Sequence, residues 1–439
     1  MTAVSPPPLR IALLSYRGDP FCGGQGVYVR HLSRELARLG HHVDVIGAQP
    51  YPVLDRVEGP GTVRLVELPS LDLYRADDPF RTPAVGEFRG PVDLLEYAVM
   101  RTGGFPEPLT FSLRARAFLA RHRGRYDVVH DNQTLGYGLL GLARHGFPLV
   151  TTVHHPVTVD RRLEIDAART RLERLGKRRW YAFTRMQRRV AARLAHVITV
   201  SESSKAEIAE QLGTDPDALA VVPIGADTRL WSPSAEVARV PGRIVATSSA
   251  DVPLKGLVHL VEALAKVRTE RDAHLVVVGK PQKEAGPVTA AVRRFGLEGH
   301  IEFRTGLSDA DLVDLYRSAE AACVPSLYEG FSLPAAEAMA TATPLVATTG
   351  GAIPEVAGPD GETCLAVPPG DAGALATALG RLLDDPALRE RLGAAGRERV
   401  LTRFTWGRAA ELTVERYRAA IATGAGAAAR SGPGWRYVG

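Results

Sequence analysis

The chain has 439 residues, too many for one ordinary core and suited to two domains that each bury a sizeable interior. Hydrophobic residues make up 45% and charged residues 23%, which excludes a disordered or fibrous chain. The formal net charge of +5 permits an anionic partner without demanding nucleic acid, and because nearly all of it is Arg, part of the basic signal is composition bias.

In chain order, LRIALLS (9–15) is a short apolar run that predicts a buried strand. A Gly-rich turn follows from Gly18 to Gly26. The stretch 27–39 then carries Val29, Leu32, Leu36 and Leu39 as a helical stripe, closed by Gly40. HVDVIG (42–47) predicts the next strand, so the chain opens β–turn–α–β, the unit of a doubly wound sheet. Further strands are expected at 127–130, 148–153 and 197–200, with a Ser-capped helix from about Ser203. A second series predicts strands at 243–247, 274–279, 301–303, 321–324 and 344–348. Its helices are expected near 256–269, 308–319, 334–341 and 371–384. The pattern predicts two Rossmann-like halves with a boundary near 225–240. Ligands in such folds bind outside the strand C-termini, and a cleft between two such domains is the expected site.

The scattered cysteines, Cys22, Cys323 and Cys364, argue against a disulfide framework or a zinc site. The opening MTAVSPPPLR lacks a signal-peptide core, and no apolar run approaches the ~18–20 residues that cross a bilayer. The expected location is cytoplasmic.

Five stretches carry candidate chemistry. GGQGV (23–27) stands between the first strand and its helix, where glycines and a helix N-terminus favour phosphate; a plain tight turn explains it equally well. DVPLKG (251–256) puts Lys255 at a β–α turn, where a cation is best explained by a nearby anion. PSLYEGFSLP (325–334) should end at a helix whose first turn holds Pro334. The N–H groups of Phe331, Ser332 and Leu333 would then form an anion site. Glu329 lies at that loop's mouth. Glu337, eight positions on, lies on the helix among apolar neighbours, and a carboxylate there suits a ribose diol. TTVHHP (151–156) ends a strand with two histidines, one of which suits a sugar hydroxyl or developing charge. The run 161–193 has twelve Arg or Lys against three acids and encloses WYAF (180–183). As an amphipathic helix it would touch an anionic membrane surface or acceptor; a solvated Arg-rich face accounts for it at least as well.

EGFSLPAAE (329–337) resembles the E-x7-E motif of the retaining GT-B glycosyltransferases of family 4, also called group 1 glycosyltransferases. The resemblance extends through PSLYEGF, PLVA (344–347), GGAIPEV (350–356), VPPGD (367–371), GGQGV and VPIGAD (222–227). It implies an α/β GT-B fold of two facing Rossmann-like domains around a cleft: 1–228 for the acceptor, 229–409 for the donor, and a last helix at 410–439 returning to the first. Glu337 would bind ribose and Glu329 would lie beside the transferred sugar. Phe331, Ser332 and Leu333 would bind phosphate through their backbone. Lys255 would hold the diphosphate, and Leu307 would meet the base through its main chain. Gly24 would cover the phosphates, and His154 would stand near the sugar. The implied catalytic residues are His154, Lys255 and Glu329. No metal or cofactor is required beyond the nucleotide-sugar co-substrate. The donor is a UDP-sugar first and GDP-mannose second. The acceptor is a small molecule or is lipid-linked, with peripheral membrane contact through 161–193 as a further option and no nucleic acid.

Four positions depart from the family's pattern. Ala250 stands where Arg is usual, five before Lys255, which removes half of a two-cation clamp. Ile224, Ala342 and Cys364 replace Asn, Gly and Gly. Acceptor specificity is expected in 50–125, whose pattern gives no further reading. The alternatives are an epimerase or phosphorylase on the same scaffold, and a non-catalytic basic binding module.

Overall fold

The computed structural model describes residues 7–18, 24–75, 77–166, 168, 170–250, 252–281 and 286–430. Cys22, Gly23 and Asp251 therefore lie outside the described residues. The chain divides into two compact units, one of residues 1–222 with 409–439 and one of 223–408.

The first unit is built on seven strands: β1 (Arg10–Ser15), β2 (His42–Gly47), β3 (Thr62–Glu67), β4 (Val128–Asn132), β5 (Leu149–Thr152), β6 (Val197–Thr199) and β7 (Leu219–Val221). All neighbours run parallel, in the order β3-β2-β1-β4-β5-β6-β7. Eight helices join them: α1 (Gly24–Arg38), α2 (Pro91–Arg101), α3 (Glu107–Arg121), α4 (Tyr137–Arg144), α5 (Thr158–Asp166), α6 (Arg171–Trp180), α7 (Thr184–Ala191) and α8 (Glu202–Leu212). Covered on both faces, the central strands β4 and β5 are buried throughout, and β1 is buried from Ile11 to Ser15.

The second unit has six parallel strands, β8 (Arg243–Thr247), β9 (His274–Val278), β10 (Ile301–Arg304), β11 (Ala321–Val324), β12 (Leu345–Thr348) and β13 (Leu365–Val367). Their order is β10-β9-β8-β11-β12-β13. Its helices are α9 (Leu257–Val267), α10 (Pro287–Phe295), α11 (Asp309–Arg317), α12 (Leu333–Ala340), α13 (Ile353–Ala357), α14 (Ala372–Asp384) and α15 (Pro386–Arg403). Side-chain caps start several of them: Ser308 for α11, Asp371 for α14 and Asp385 for α15.

The last helix, α16 (Trp406–Arg430), groups with the first unit from Ala409 onward. Tyr417 is fully buried there, and its hydroxyl meets Nδ1 of His130 on β4 at 2.6 Å. The other ring nitrogen of His130 meets Thr152 Oγ1 at 2.7 Å, and Thr152 meets the Tyr28 hydroxyl at 2.9 Å. A buried polar chain thus ties α16 through β4 and β5 to α1.

Three sequence expectations change. The helix expected from Ser203 begins at Glu202, because the Ser201 side chain accepts from the Ser204 N–H. The first helix starts at Gly24 rather than Val27, so Gly24 is its first residue and not a loop residue. The basic run 161–193 is no single helix: it spans α5, α6, a 3-10 turn at Tyr181–Phe183 and α7. Among the described residues no helix is long and apolar enough to cross a membrane.

The departure at Ala342 has a physical reading. Its φ is +57, the left-handed region where a Cβ is strained. The family's glycine suits that backbone, and this chain carries the strain instead. Ala342→Gly is expected to stabilise the protein by about 0.5–1 kcal/mol, the left-handed penalty less glycine's entropy loss. Denaturant unfolding of the two forms checks this, and a variant no more stable than the parent would contradict it.

Candidate active site

The strand ends of the second unit carry the glutamate motif. β11 finishes at Val324, and the chain crosses Pro325–Ser332 before α12 begins at Leu333 with Pro334 in its first turn. Two neighbouring turns hold this loop by its backbone. On one side a 3-10 turn at Pro253–Lys255 ends in Gly256, and Leu327 N–H donates to Leu254 O at 2.7 Å. Gly256 has φ +64, and a Cβ there would lie 2.0 Å from Pro325 O. On the other side Gly351 has φ +60, and a Cβ would meet Glu329 O at 2.5 Å. Ala352 N–H donates to that same Glu329 oxygen at 2.8 Å. Only glycine permits both approaches.

The clamp leaves backbone donors unused. The N–H groups of Phe331, Ser332 and Leu333 donate to no protein group among the described residues. Ser332 gives α12 no side-chain cap, and its buried hydroxyl has no hydrogen-bond partner there. The Phe331 ring is buried, edge-on to Phe404 at 5.8 Å, which fixes the turn. A helix N-terminus with free amides is an anion site.

Lys255 reaches this loop. Its Nζ lies 3.2 Å from Glu329 Oε1, and Ser326 Oγ donates to the same oxygen at 2.6 Å. The Glu329 side chain is only 9% exposed, whereas Lys255 keeps 35%, so the cation stays open to solvent. Ala250 is buried in the apolar core with Leu257 and Leu260, so no cation stands at that position. Leu307 is half-buried after Gly306 (φ +68), and its backbone N–H and C=O make no protein hydrogen bond among the described residues.

Glu337 is half-buried on α12, and its carboxylate accepts no hydrogen bond among the described residues. Burial, with the nearby charge of Asp309, pushes its carboxyl up to about 7. An incoming diol would supply the hydrogen bonds that this carboxylate lacks.

In the first unit, His154 lies just past β5. Its Nε2 donates to Asn132 Oδ1 at 2.8 Å, because Asn132 Nδ2 is turned to Gln25 O. That leaves Nδ1 as an acceptor. The ring stands edge-on to Tyr28 at 4.7 Å. Burial, then the neighbouring His155, lowers its pKa to about 3, so it works as a neutral imidazole. Gln133 clamps this loop: its Oε1 accepts His154 N–H and its Nε2 donates to His155 O, both at 2.7 Å. Gln133 and Leu135 both adopt left-handed backbone (φ +53 and +50), and the preceding Asp131 accepts the Thr134 and Leu135 N–H groups. Sequence reasoning missed Asn132, Gln133 and Asp131; their signal, polar residues crowded at a strand end, is visible in VVHDNQT.

The structure thus groups Lys255, Glu329, Phe331, Ser332 and Leu333 in one loop cluster of the second unit, with Glu337 one turn along α12. Gly24 and His154 belong to the first unit. The cavities at the strand N-termini, such as the one of about 540 Å³ lined by Arg10, Asp44, Arg64 and Arg125, lie away from all of them. Among the described residues no group of three or more His, Cys, Asp or Glu is placed to hold a metal.

Comparison with known proteins decides the family. The model described as "Glycosyl transferases group 1" matches residues 234–399, and "Glycosyltransferase Family 4" matches 22–230. The MMP alpha-(1->4)-mannosyltransferase of Mycolicibacterium hassiacum is 53% identical, over 94% of this chain and 99% of that protein. The chain belongs to the group 1 glycosyltransferases. It is a hexosyltransferase with the GT-B fold. A D-inositol 3-phosphate glycosyltransferase of Kineococcus radiotolerans is 31% identical over 94% of this chain and 95% of its own length. Sucrose-phosphate synthase from Thermosynechococcus elongatus superposes with a TM-score of 0.69 at 27% identity, over 94% of this chain and 100% of that one.

Glu337 offers a direct test. Its ordinary value is 4.5, so a folded-state value near 7 means that the protonated form favours folding. That contribution is complete below about pH 4.5 and is lost as pH rises through 7. Glu337→Gln should therefore melt above the unliganded wild type above pH 7, with the gap closing towards pH 4.5. Thermal melts across that range check it; a pH-independent gap would remove the buried charge as its cause.

Proposed function

We propose that this glycosyltransferase moves a mannosyl group from a nucleoside-diphosphate sugar to a sugar hydroxyl, with retention at the anomeric carbon. The observation that carries the donor reading is the loop 325–333. Three free amides and a hydroxyl without a partner stand at a helix N-terminus, with Lys255 alongside. Such a cluster suits a diphosphate. Glu337 then takes the ribose diol, Leu307 offers its main chain to the base, and Glu329 lies by the transferred sugar.

Mannose is favoured by the relative at 53% identity, whose name gives an alpha-(1->4) mannosyl linkage. GDP-mannose, second to UDP-sugars from the sequence, therefore becomes the first donor to test. The acceptor is correspondingly a sugar ring with a free 4-hydroxyl.

In the reaction the bond from anomeric carbon to phosphate oxygen breaks and a bond to the acceptor oxygen forms on the same face. The acceptor's proton passes to the departing phosphate oxygen. Lys255 and the amides of 331–333 stabilise the charge that builds on the diphosphate. Neutral His154 is expected to meet a sugar hydroxyl, not to carry charge. No carboxylate nucleophile is needed, unlike in retaining glycosidases.

Lys255→Ala should lower kcat by about 100- to 1,000-fold, the usual cost of losing one preorganised charge-stabilising group. Glu337→Ala should weaken nucleotide-sugar binding at least tenfold by calorimetry. Wild-type turnover in the first variant would mean that another group holds the diphosphate. A thermal-shift panel of GDP-, UDP- and ADP-sugars orders the donors, since a tight binder stabilises the fold by mass action. Stabilisation by UDP-sugars alone would rule out the mannosyl donor named here.

A further inference from the structure

We propose that Ser249, at the end of β8, binds the donor's diphosphate through its hydroxyl and its backbone N–H, as a neutral substitute for the cation that Ala250 does not supply. The proposal rests on the donor reading above and adds a residue to it.

The strand order β10-β9-β8-β11-β12-β13 changes direction between β8 and β11. β8 leads outward to β9 and β10, and β11 leads the other way to β12 and β13. At such a reversal a ligand crevice opens outside the strand C-termini. The two strands are parallel, with Ile244 opposite Ala321 and Val245 opposite Ala322, so both end at this crevice. The loop 325–332 rises from β11. Residues 248–252 rise from β8 and lead into the 3-10 turn that carries Lys255.

The end of β8 has one side turned to the glutamates. Its pairing runs on past Thr247, since Ser248 N–H donates to Val278 O at 3.1 Å. Exposure alternates in step: Thr247 and Ser249 are half-buried, Ser248 and Ala250 buried. Thr247 and Ser249 therefore share a side of the chain. Thr247 Oγ1 meets the Tyr316 hydroxyl at 2.8 Å. Burial, then the charge of Glu337, raises the pKa of that hydroxyl, and Glu329 adds to the effect. Ser249 projects from the Thr247 side, two residues nearer the open end.

Its donors are uncommitted. The Ser249 carbonyl accepts the Val252 N–H at 3.2 Å, and Val252 O accepts the Lys255 N–H at 2.9 Å, so the residue is built into the lysine's own turn. The Ser249 N–H and hydroxyl donate to no protein group among the described residues. The strand end is also held tightly beside β9. A Cβ at Gly279 (φ +154) would lie 2.2 Å from Ser248 O, an approach that only glycine permits.

A hydroxyl and an adjacent N–H both donate, and phosphate oxygens accept from both. Neutral donors suit this place, because Ala250 beside them packs into the apolar core with Leu257 and Leu260. A second cation there would lose its hydration. Lys280, just past the end of β9, is the competing group. It is exposed and pairs with no acid among the described residues, but β8 stands between its strand and β11.

The test is calorimetry of the full chain with GDP and UDP as probes, alongside thermal melts without ligand. Ser249→Ala should bind the nucleotide that the wild type prefers about tenfold more weakly, the lower end for one hydrogen bond to a charged group. Ser249→Thr, which keeps the hydroxyl, should recover most of the loss. Because that hydroxyl has no protein partner, all three forms should melt together. Equal affinity in wild type and Ser249→Ala overturns the proposal and leaves the donor reading standing. So does a loss that Thr does not recover, or a lowered melting temperature in Ser249→Ala, which would make the serine a structural residue. A loss in Lys280→Ala in place of Ser249→Ala assigns the diphosphate to the β9 end and overturns it as well. Failure of the wild type to bind either nucleotide removes the donor reading itself, and the serine's role with it.

Discussion

The loop between β11 and α12 cannot relax, and the proposed donor chemistry depends on that. Polar backbone groups removed from water ordinarily find partners. Here the loop backbone is pressed between two turns at distances that only Gly256 and Gly351 tolerate. It cannot swing to satisfy its own amides, so three donors remain for a ligand. The same turn that Gly256 closes delivers Lys255, one residue earlier, to Glu329. One steric constraint thus places both the amides and the cation, and the carboxylate of Glu329 balances that cation until an anion arrives.

The first unit solves a different problem. The histidine past its β5 strand end, His154, is held in one orientation and kept neutral. Asn132 fixes the Nε2 side, Tyr28 packs the ring edge and Gln133 pins the backbone. Behind it, the chain Tyr417–His130–Thr152–Tyr28 is buried and hydrogen-bonded end to end. Burial lowers His130 to about 3 as well, so no charge needs compensating there. A satisfied network of this kind orders its surroundings, whereas a half-satisfied one would be costly.

Parallel strands covered on both faces were legible because they are nearly unbroken apolar runs, and β1, β2, β8, β11 and β12 fall within a residue or so of the sequence reading. β3 escaped notice because it is an edge strand with alternating exposure, and β7 and β13 because each is a three-residue strand at a sheet edge. The segment 50–125 was opaque for a better reason. α2 buries Asp93 and Glu96, which only the later Arg114 neutralises, so its polar pattern misreports its buried face. At the site, Glu329 and Glu337 were readable from local spacing. The Lys255–Glu329 pair was not, since 74 positions separate its partners. The usual glycine at 342 was known only as a pattern until the backbone angle gave its reason.

Local spacing also explains why the glutamate-loop cluster was legible in the sequence. The donor cluster draws on backbone amides and a short motif, so any chain that keeps the glycine clamp keeps it. At Ala250 the strand end is apolar core, and the usual second cation has nowhere to stand. On the proposed donor reading, the charge of a diphosphate would fall on Lys255 and on the α12 terminus. A helix end contributes roughly half a unit of positive charge. Lys255 adds a full unit, but one already shared with Glu329. A leaving group held there would be stabilised more by oriented dipoles than by net charge. Dipoles fixed by the loop need no reorganisation as the bond breaks, which is the form of stabilisation that favours the transition state over the bound substrate.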